Sequence, residues 1–577
     1  MLVENAGRIT EKDELLKRVW AGTFVEEATL AKNISTLRKA LGDSAESEEY
    51  IQTVIKRGYR FVAAVERTAS VESAAITPAP WRWLAAGGVA VAGLLMALLF
   101  FGPRDVPPVP ATRASGKVRL AVLPFENLNA NPEQEYFADG LTEEMINHLS
   151  RLYPEGLAVI ARTSAMKYKD VKKDITQIGA DLHADYILEG SVRREGNRVR
   201  ITSQLVRVSD QTHLWGETYD RDGGEVLALQ DEVARTIAGR IGIELTGRTG
   251  AGLSQRTSIS PAAYEDYLKG RFFWNKMTMG GFRRAIQHFE AAISKDPAYA
   301  EAHAGLADSY ASLGLWGLHG REALQRAKAA AEKAVTLRES LADGHASRAF
   351  IAMGYEWDWA TAEREFRRAL ELNPGHSAAH HRYGYYLMLR GRWDEAGAEL
   401  RKAQELDPLS MLINANIGFR HYLMREYDAA IAHWKKNLEM EPDYPLLHGY
   451  MGTAYIMKKM YPEAIESLEK AKGTPGVTSA FGYIYGVTGR EEKARKQLGA
   501  LLDAAKRSFV PAFYIALLYA GLGDRDQAFA WLDRAYEERS GYLMEIHLDP
   551  MFDPLRSDPR FDALLRRLGH KSIILPQ

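Results

Sequence analysis

RRALELNP at residues 367–374, RKAQELDP at 401–408 and KKNLEMEP at 435–442 follow one another at intervals of 34 residues, each closing on a proline. Gly384, Gly418 and Gly452 keep the same interval. Small residues at Ala362, Ala369, Ala396 and Ala403 let two helices approach closely. Each proline stops a helix, because it has no N–H to donate and its ring clashes with the preceding turn. Self-similarity at this period marks a stack of helix pairs, each unit burying its apolar face against the next.

The same pattern extends in both directions. AYEDYLKGRFFWNKM pairs with GGFRRAIQHFEAAISKDP, which ends at Pro297; the next unit carries the insertion GLWGLHGREAL, and Glu339 stands where the proline is expected. GTAYIMKKMYPEAIESLEKA, FGYIYGVTGREEKARKQL and FYIALLYAGLGDRDQAFAWLDRAYEE continue it, giving seven expected helix pairs between about 264 and 539 within an all-α domain at 260–570. The final stretch, SGYLMEIHLDPMFDPLRSDPRFDALLRRLG, departs from the pattern and is expected to cap the open end. The array resembles tetratricopeptide scaffolds, and that resemblance implies a groove offered to a protein or peptide. By repeat position the groove is lined by His381, Tyr385, Phe419, Tyr422 and Thr453. The aromatic residues among them fit inter-helix packing equally well. Stacked aromatics also serve nucleic-acid platforms, but no basic stripe accompanies them.

Upstream, at 118–247, the pattern changes. VRLAVLPF has strand character, YFADGLTEEMINHLSRL reads as a helix, LAVIAR as a strand and DITQIGADLHA as a helix. In the following meander Arg198, Arg200, Thr202 and Gln204 alternate with Val199, Ile201, Ser203 and Leu205, with a turn at Gly196–Asn197. VLALQDEVARTIAGRIGIEL closes the domain as a helix, and the expected sheet is mixed. AVLPF, FADGLTE, ADYILEGSVR and a later W-x-E-x-Y-D resemble the TolB-like N-terminal domain, which implies protein contact and no chemistry. Glu144 and His148 share a helical face at i, i+4 spacing beside Asp139 and Glu143. A metal or acid/base site is imaginable there, but a solvated face is the expectation. No Gly-rich phosphate loop, nucleophile elbow or zinc-ligand spacing accompanies it. No catalytic residue, metal or cofactor is expected.

From Trp83 to Phe101 the chain reads WLAAGGVAVAGLLMALLFF, with no charge between Arg82 and Arg104. A bilayer core of ~30 Å takes about 20 apolar residues as a helix. Trp81 and Trp83 suit an interface at one edge. A single transmembrane helix is expected at 83–102, between linkers at 68–82 and 103–117. Lys56, Arg57, Arg60, Arg67 and Arg82 precede it; Arg104, Arg113 and Lys117 follow. That mild bias favours an inner-membrane, single-pass protein with a cytoplasmic N-terminus and a periplasmic body.

In the head, 1–67, Thr10 is expected to cap an amphipathic helix carrying Leu15, Leu16 and Val19. A second helix from about Glu27 to Leu41 puts Leu30, Ile34, Leu37 and Leu41 on one face. YIQTVIKRGYRFVAAV reads as two short strands. Residues 1–67 balance 11 Lys+Arg against 11 Asp+Glu, but no acid falls between Ala28 and Gly42 or between Ile51 and Val65. Positive charge is therefore gathered on the second helix and the hairpin, where it can neutralise phosphates. LLKRVWAGTFVEEATLAKNISTLRKALGD followed by YIQTVIKRGYRFVA resembles the OmpR/PhoB-type winged helix-turn-helix family over about 60 residues. Carried over by position, Lys32, Asn33, Ser35 and Thr36 face base edges, Arg38 holds phosphate, and Arg57 and Arg60 belong to the wing. The family's opening sheet is absent before MLVENAGRIT, so weak DNA binding is expected of residues 1–67.

The 577 residues carry a net charge of −1, hydrophobic content of 46% and no cysteine, which excludes disulfides, thiolate metal sites and cysteine nucleophiles. The expected fold is multidomain: a partial winged helix, one transmembrane helix, an α/β TolB-like domain and an all-α solenoid. This order resembles one-component membrane regulators of the CadC/ToxR kind. The resemblance implies DNA binding inside, a sensing or protein-contact region outside, and a homodimer that engages two half-sites. The alternative is a membrane-anchored protein-contact scaffold with a vestigial head.

Overall fold

The computed structural model describes residues 8–12, 14–15, 34, 37–38, 50–54 and 57–63 of a first unit. Of a second it describes 117–241 and 259–570, apart from 130, 153–155, 197, 223–224, 316–319 and 474. In the first unit, β1 (Ile9–Glu11), β2 (Ile51–Val54) and β3 (Gly58–Phe61) form an antiparallel sheet in the order β1-β3-β2. The β2–β3 hairpin pairs Ile51 with Phe61 and Val54 with Gly58. Leu15, Ile34, Ile51, Tyr59 and Phe61 make its core; Leu15 and Ile34 thus come from the expected helical faces, whereas Leu37, expected on the same face as Ile34, is exposed. Thr10 is not a helix cap: it lies in β1, buried opposite Tyr59, because the free edge of β3 takes up this segment's backbone.

The second unit begins with a mixed sheet. β4 (Val118–Val122) runs parallel to both β6 (Leu157–Val159) and β7 (Tyr186–Glu195), and the short β5 (Glu126–Asn127) adds to β7. β8 (Arg198–Arg207) and β9 (His213–Asp222) complete an antiparallel meander, giving the order β6-β4-β7-β8-β9. The β7–β8 turn contains Gly196 at φ +60°, a left-handed conformation that glycine adopts without a Cβ penalty. Val199, Ile201, Ser203 and Leu205 all point inward, as the period-two pattern requires. On one face lie α1 (Glu135–Leu152) and α4 (Val226–Ile241), with Ala165 of the short α2 (Arg162–Ala165) in their core; on the other lies α3 (Ile175–Leu182), capped by Asp174, which accepts from the Thr176 N–H.

Eight helix pairs follow among the described residues, one more than expected: 261–274/279–295, 300–315/320–337, 342–351/359–372, 377–389/393–406, 411–423/427–438, 445–457/461–470, 475–487/491–507 and 512–522/525–537. One unit boundary falls at 337–342, where Glu339 stands in place of the proline. Gly418 illustrates the pairing: a Cβ there would lie 2.1 Å from Trp434 Nε1, so only glycine admits the indole. The chain ends in 3₁₀ turns at Gly541–Glu545 and Pro550–Leu555 and a helix at Pro559–Arg567.

The inner-membrane, single-pass placement is not upheld. No described helix is long and apolar enough to cross a membrane, and the run at 83–102 lies outside the described residues, as do both linkers beside it apart from Lys117.

Candidate functional site

The hairpin makes up most of the described part of the N-terminal unit. Arg57 is exposed at the hairpin turn, where its N–H donates to the Val54 carbonyl at 3.0 Å. Arg60 is half-buried in β3, opposite Gln52 and Ile9. Arg38 departs from its expected phosphate role. It is buried, and its Nε and Nη2 donate to the Ile51 carbonyl at 3.2 and 2.7 Å, with Nη2 also 2.7 Å from Thr53 Oγ1. Its guanidinium is a strut that holds β2 in place. Lys32, Asn33, Ser35 and Thr36 lie outside the described residues.

The α/β domain is seated on the repeats by a ladder with the repeats' own period. Asn373, Asp407 and Glu441 each precede a repeat proline. Asn373 Nδ2 lies 3.4 Å from Ser150 Oγ, Asp407 Oδ1 accepts from the Ser164 N–H at 2.9 Å and its hydroxyl at 2.5 Å, and Glu441 pairs with Lys167. The Ala161 N–H donates to the Leu406 carbonyl at 2.7 Å. Burial pushes the Asp407 carboxyl up to about 6, against the hydrogen bonds from Ser164.

Glu144 and His148 are not on a solvated face. Asp139, Glu143, Glu144 and His148 are all buried where α1 meets the helix at 261–274. Glu143 accepts from Arg271 Nε at 2.8 Å and Asn275 Nδ2 at 2.7 Å, and Arg162 lies 3.3 Å away. Burial alone would raise its pKa, yet Arg271 and Arg162 hold it below the ordinary glutamate range. Tyr267 donates to Glu144 at 3.1 Å. Nearby Glu265 meets Tyr136, Lys269 and Arg194 at 2.9, 2.9 and 3.0 Å. Burial opposes ionisation there too, but these donors bring Glu265 down to about 2. This is an interdomain ion-pair network.

Four histidines of the array are loop clasps. Nε2 of His303, His345, His380 and His448 each lies within 2.7–3.1 Å of the carbonyl six residues earlier, at Pro297, Glu339, Pro374 and Pro442. In the one remaining unit of this run Asn414 does the same to Pro408 at 3.1 Å. The spacing from proline was visible in the sequence. No group of three or more His, Asp or Glu among the described residues is placed to hold a metal.

The groove residues divide. Tyr385, Phe419 and Tyr422 come together: Phe419 stacks on Tyr385, Tyr422 and Tyr450 with centroids 6.4, 5.5 and 4.9 Å apart. His381 Nε2 lies 2.8 Å from Asn416 Nδ2, and burial brings its pKa down to about 4. Thr453 turns back onto the Tyr450 carbonyl at 2.8 Å. The sequence did not reveal that this face is already occupied. Tyr385 donates to Glu545, Tyr422 donates to Asp549 at 3.1 Å, and Arg425 meets Asp553 at 2.8 Å. The terminal segment, expected as an end cap, is a strap across the array.

Fold and surfaces together define a class: a winged-helix unit in one chain with an α/β domain seated on a helical repeat array. Comparison with known proteins fits each part. Residues 1–61 match the C-terminal domain of transcriptional regulatory proteins, 116–236 the second domain of HilA/YgeH-like transcriptional regulators, and 271–335 and 357–410 the tetratricopeptide repeat. The middle match takes the place of the TolB-like assignment expected from sequence. Among relatives, "Putative adenylate cyclase 3" of Rhizobium meliloti is 34% identical over 260 residues, 44% of this chain and 43% of that protein. "Transcriptional regulator HilA" of Salmonella typhi is 24% identical over 399 residues, 68% of this chain and 62% of that protein. "Transcriptional activator CadC" of Escherichia coli is 40% identical over 63 residues, 11% of this chain and 12% of that protein. The chain thus spans less than two thirds of each.

Proposed function

We propose that this chain is a DNA-binding transcriptional regulator whose head contacts DNA and whose α/β–repeat body makes protein contacts. The observation that carries this reading is the wing: a hairpin folded on its own core, with Arg57 exposed at its turn, inside a segment similar to the DNA-binding domains of regulators. Lys32, Asn33, Ser35 and Thr36 read base edges in this scheme, and Arg57 with Arg60 meets phosphate beside them. Short polar side chains at Ser35 and Thr36 make the base readout modest. In the body, Glu143, Glu144 and Glu265 are tied into the seam, and His303, His345, His380 and His448 staple repeat loops.

The test is a titration of the full chain against a labelled duplex at several salt concentrations. Binding should weaken steeply with salt, because each neutralised phosphate releases counterions. Replacing both Arg57 and Arg60 by alanine should flatten the log–log slope by about 1–2. Retention that is absent at low salt, or indifferent to both arginines, favours the second reading, a protein-contact scaffold with an idle head.

A further inference from the structure

The strap at 541–555 behaves less like core than like a bound peptide. Leu543, Ile546, Leu548 and Phe552 are fully buried against the inner helices and anchor it. Between these anchors it presents polar groups at a fixed interval. Glu545, Asp549 and Asp553 recur every four residues, and each is met from the array by a different residue, Tyr385, Tyr422 and Arg425. Tyr542 enters an aromatic wall, 5.6 Å from Phe513 and 5.0 Å from Tyr514. His547 Nε2 lies 2.9 Å from the Leu389 carbonyl, so a strap side chain also engages the array's backbone.

A segment serving only as filling has no need of these acids. Placing a carboxylate opposite tyrosine hydroxyls costs desolvation that an apolar residue of the same size avoids. What such contacts supply is discrimination, since a buried hydroxyl left without its acceptor is penalised. Glu545 and Asp549 are only half-buried, as are Tyr385, Tyr450 and Tyr514. Part of the polar half of the seat therefore stays open to solvent, although Tyr422 is buried, while the apolar anchors are sealed. Burial pushes Glu545 up to about 7, against the hydrogen bond from Tyr385, and Asp549 is raised as well.

We infer that the inner face of the repeats is a peptide-recognition groove held closed by the chain's own strap, and that its partner is a protein segment carrying an aromatic residue followed by carboxylates at four-residue spacing. The strap and the partner segment compete for Tyr385, Tyr422 and the aromatic wall. This deepens the protein-contact half of the function proposed above and is independent of the DNA half.

The experiment uses the full chain and a fluorescent peptide with the sequence of residues 538–558. Wild type takes up the peptide weakly, because the groove is filled in cis. The double substitution Glu545→Ala with Asp549→Ala in the chain should raise affinity at least tenfold, and adding Tyr385→Phe with Tyr422→Phe should abolish the gain. A peptide with alanine at the positions of Glu545 and Asp549 should lose most binding, because Tyr385 and Tyr422 are then left without acceptors. Asp553→Ala alone, at an exposed position, keeps the fold and should raise uptake several-fold, so a misfolded double variant leaves the question answerable. Uptake unchanged in Asp553→Ala, or in a double variant with native helix content, overturns the proposal. DNA retention should be unaltered throughout, which separates failure of this groove from failure of the head.

Discussion

Two acids hold two different interfaces of the same repeat array, and their environments are opposite. Glu265, in the seam with the α/β domain, collects Lys269, Arg194 and Tyr136 and is driven down to about 2. Glu545, in the strap, has Tyr385 as its side-chain donor and is driven up to about 7. The seam spends cations to fix its acids; the strap leaves its acid without that compensation. A permanent joint gains from the first arrangement, because breaking a compensated buried pair is costly. A replaceable contact gains from the second, because its polar part adds selectivity without much net hold. Asp407 is the seam's exception: hydroxyl and N–H donors, chiefly of Ser164, hold it, and burial still raises it.

The sharpest way to break this contrast is to remove the seam's central cation. Arg271→Ala should cost about 3–5 kcal/mol in chemical unfolding of the full chain, because Glu143 is left buried without its main partner. A loss below about 1 kcal/mol makes the seam no firmer than the strap. Next in size, Ser164→Ala should cost about 1 kcal/mol by removing the hydroxyl donor to Asp407, which keeps the Ser164 N–H. Glu545→Gln in the strap should go the other way, raising stability at pH 8 by about 1 kcal/mol, because the neutral amide is cheaper to enclose than the charge. The sign follows from linkage. A carboxyl raised from 4.5 to about 7 keeps a proton in the folded state that the unfolded state releases, so stability falls as pH rises between those values and is flat above. Glu265 works oppositely: its contribution is complete above 4.5 and is lost as pH falls toward about 2. The smallest effect on stability belongs to Arg57→Ala, within about 0.5 kcal/mol, since the side chain is exposed at a turn.

What the sequence disclosed follows the physics of repetition. The 34-residue interval fixed the array because each pair needs the same small residues and the same stop, and the strand alternation from Val199 to Leu205 was equally plain. The second burial of α1 was hidden. Its apolar residues form one stripe toward the sheet, so Glu144 and His148 looked wet, yet the helix at 261–274 covers that side through Tyr267 and Arg271. Burial by a distant element leaves no local period. The strap was hidden for a related reason: 3₁₀ turns broken by Pro550 and Pro554 carry no helical pattern, and its acids read as ordinary surface charge until Tyr385 and Tyr422 stand opposite them. Arg38 misled through its type, since a basic residue on a second helix suits phosphate as well as it suits the Ile51 carbonyl.

The contrast between seam and strap is tested most directly by hydrogen exchange on the full chain at pH 5 and pH 8, corrected for intrinsic rates. Amides of 541–555 should lose protection at the higher pH while those of 261–274 keep theirs. Equal protection in both segments at both values contradicts the account, because the strap would then be as permanent as the seam.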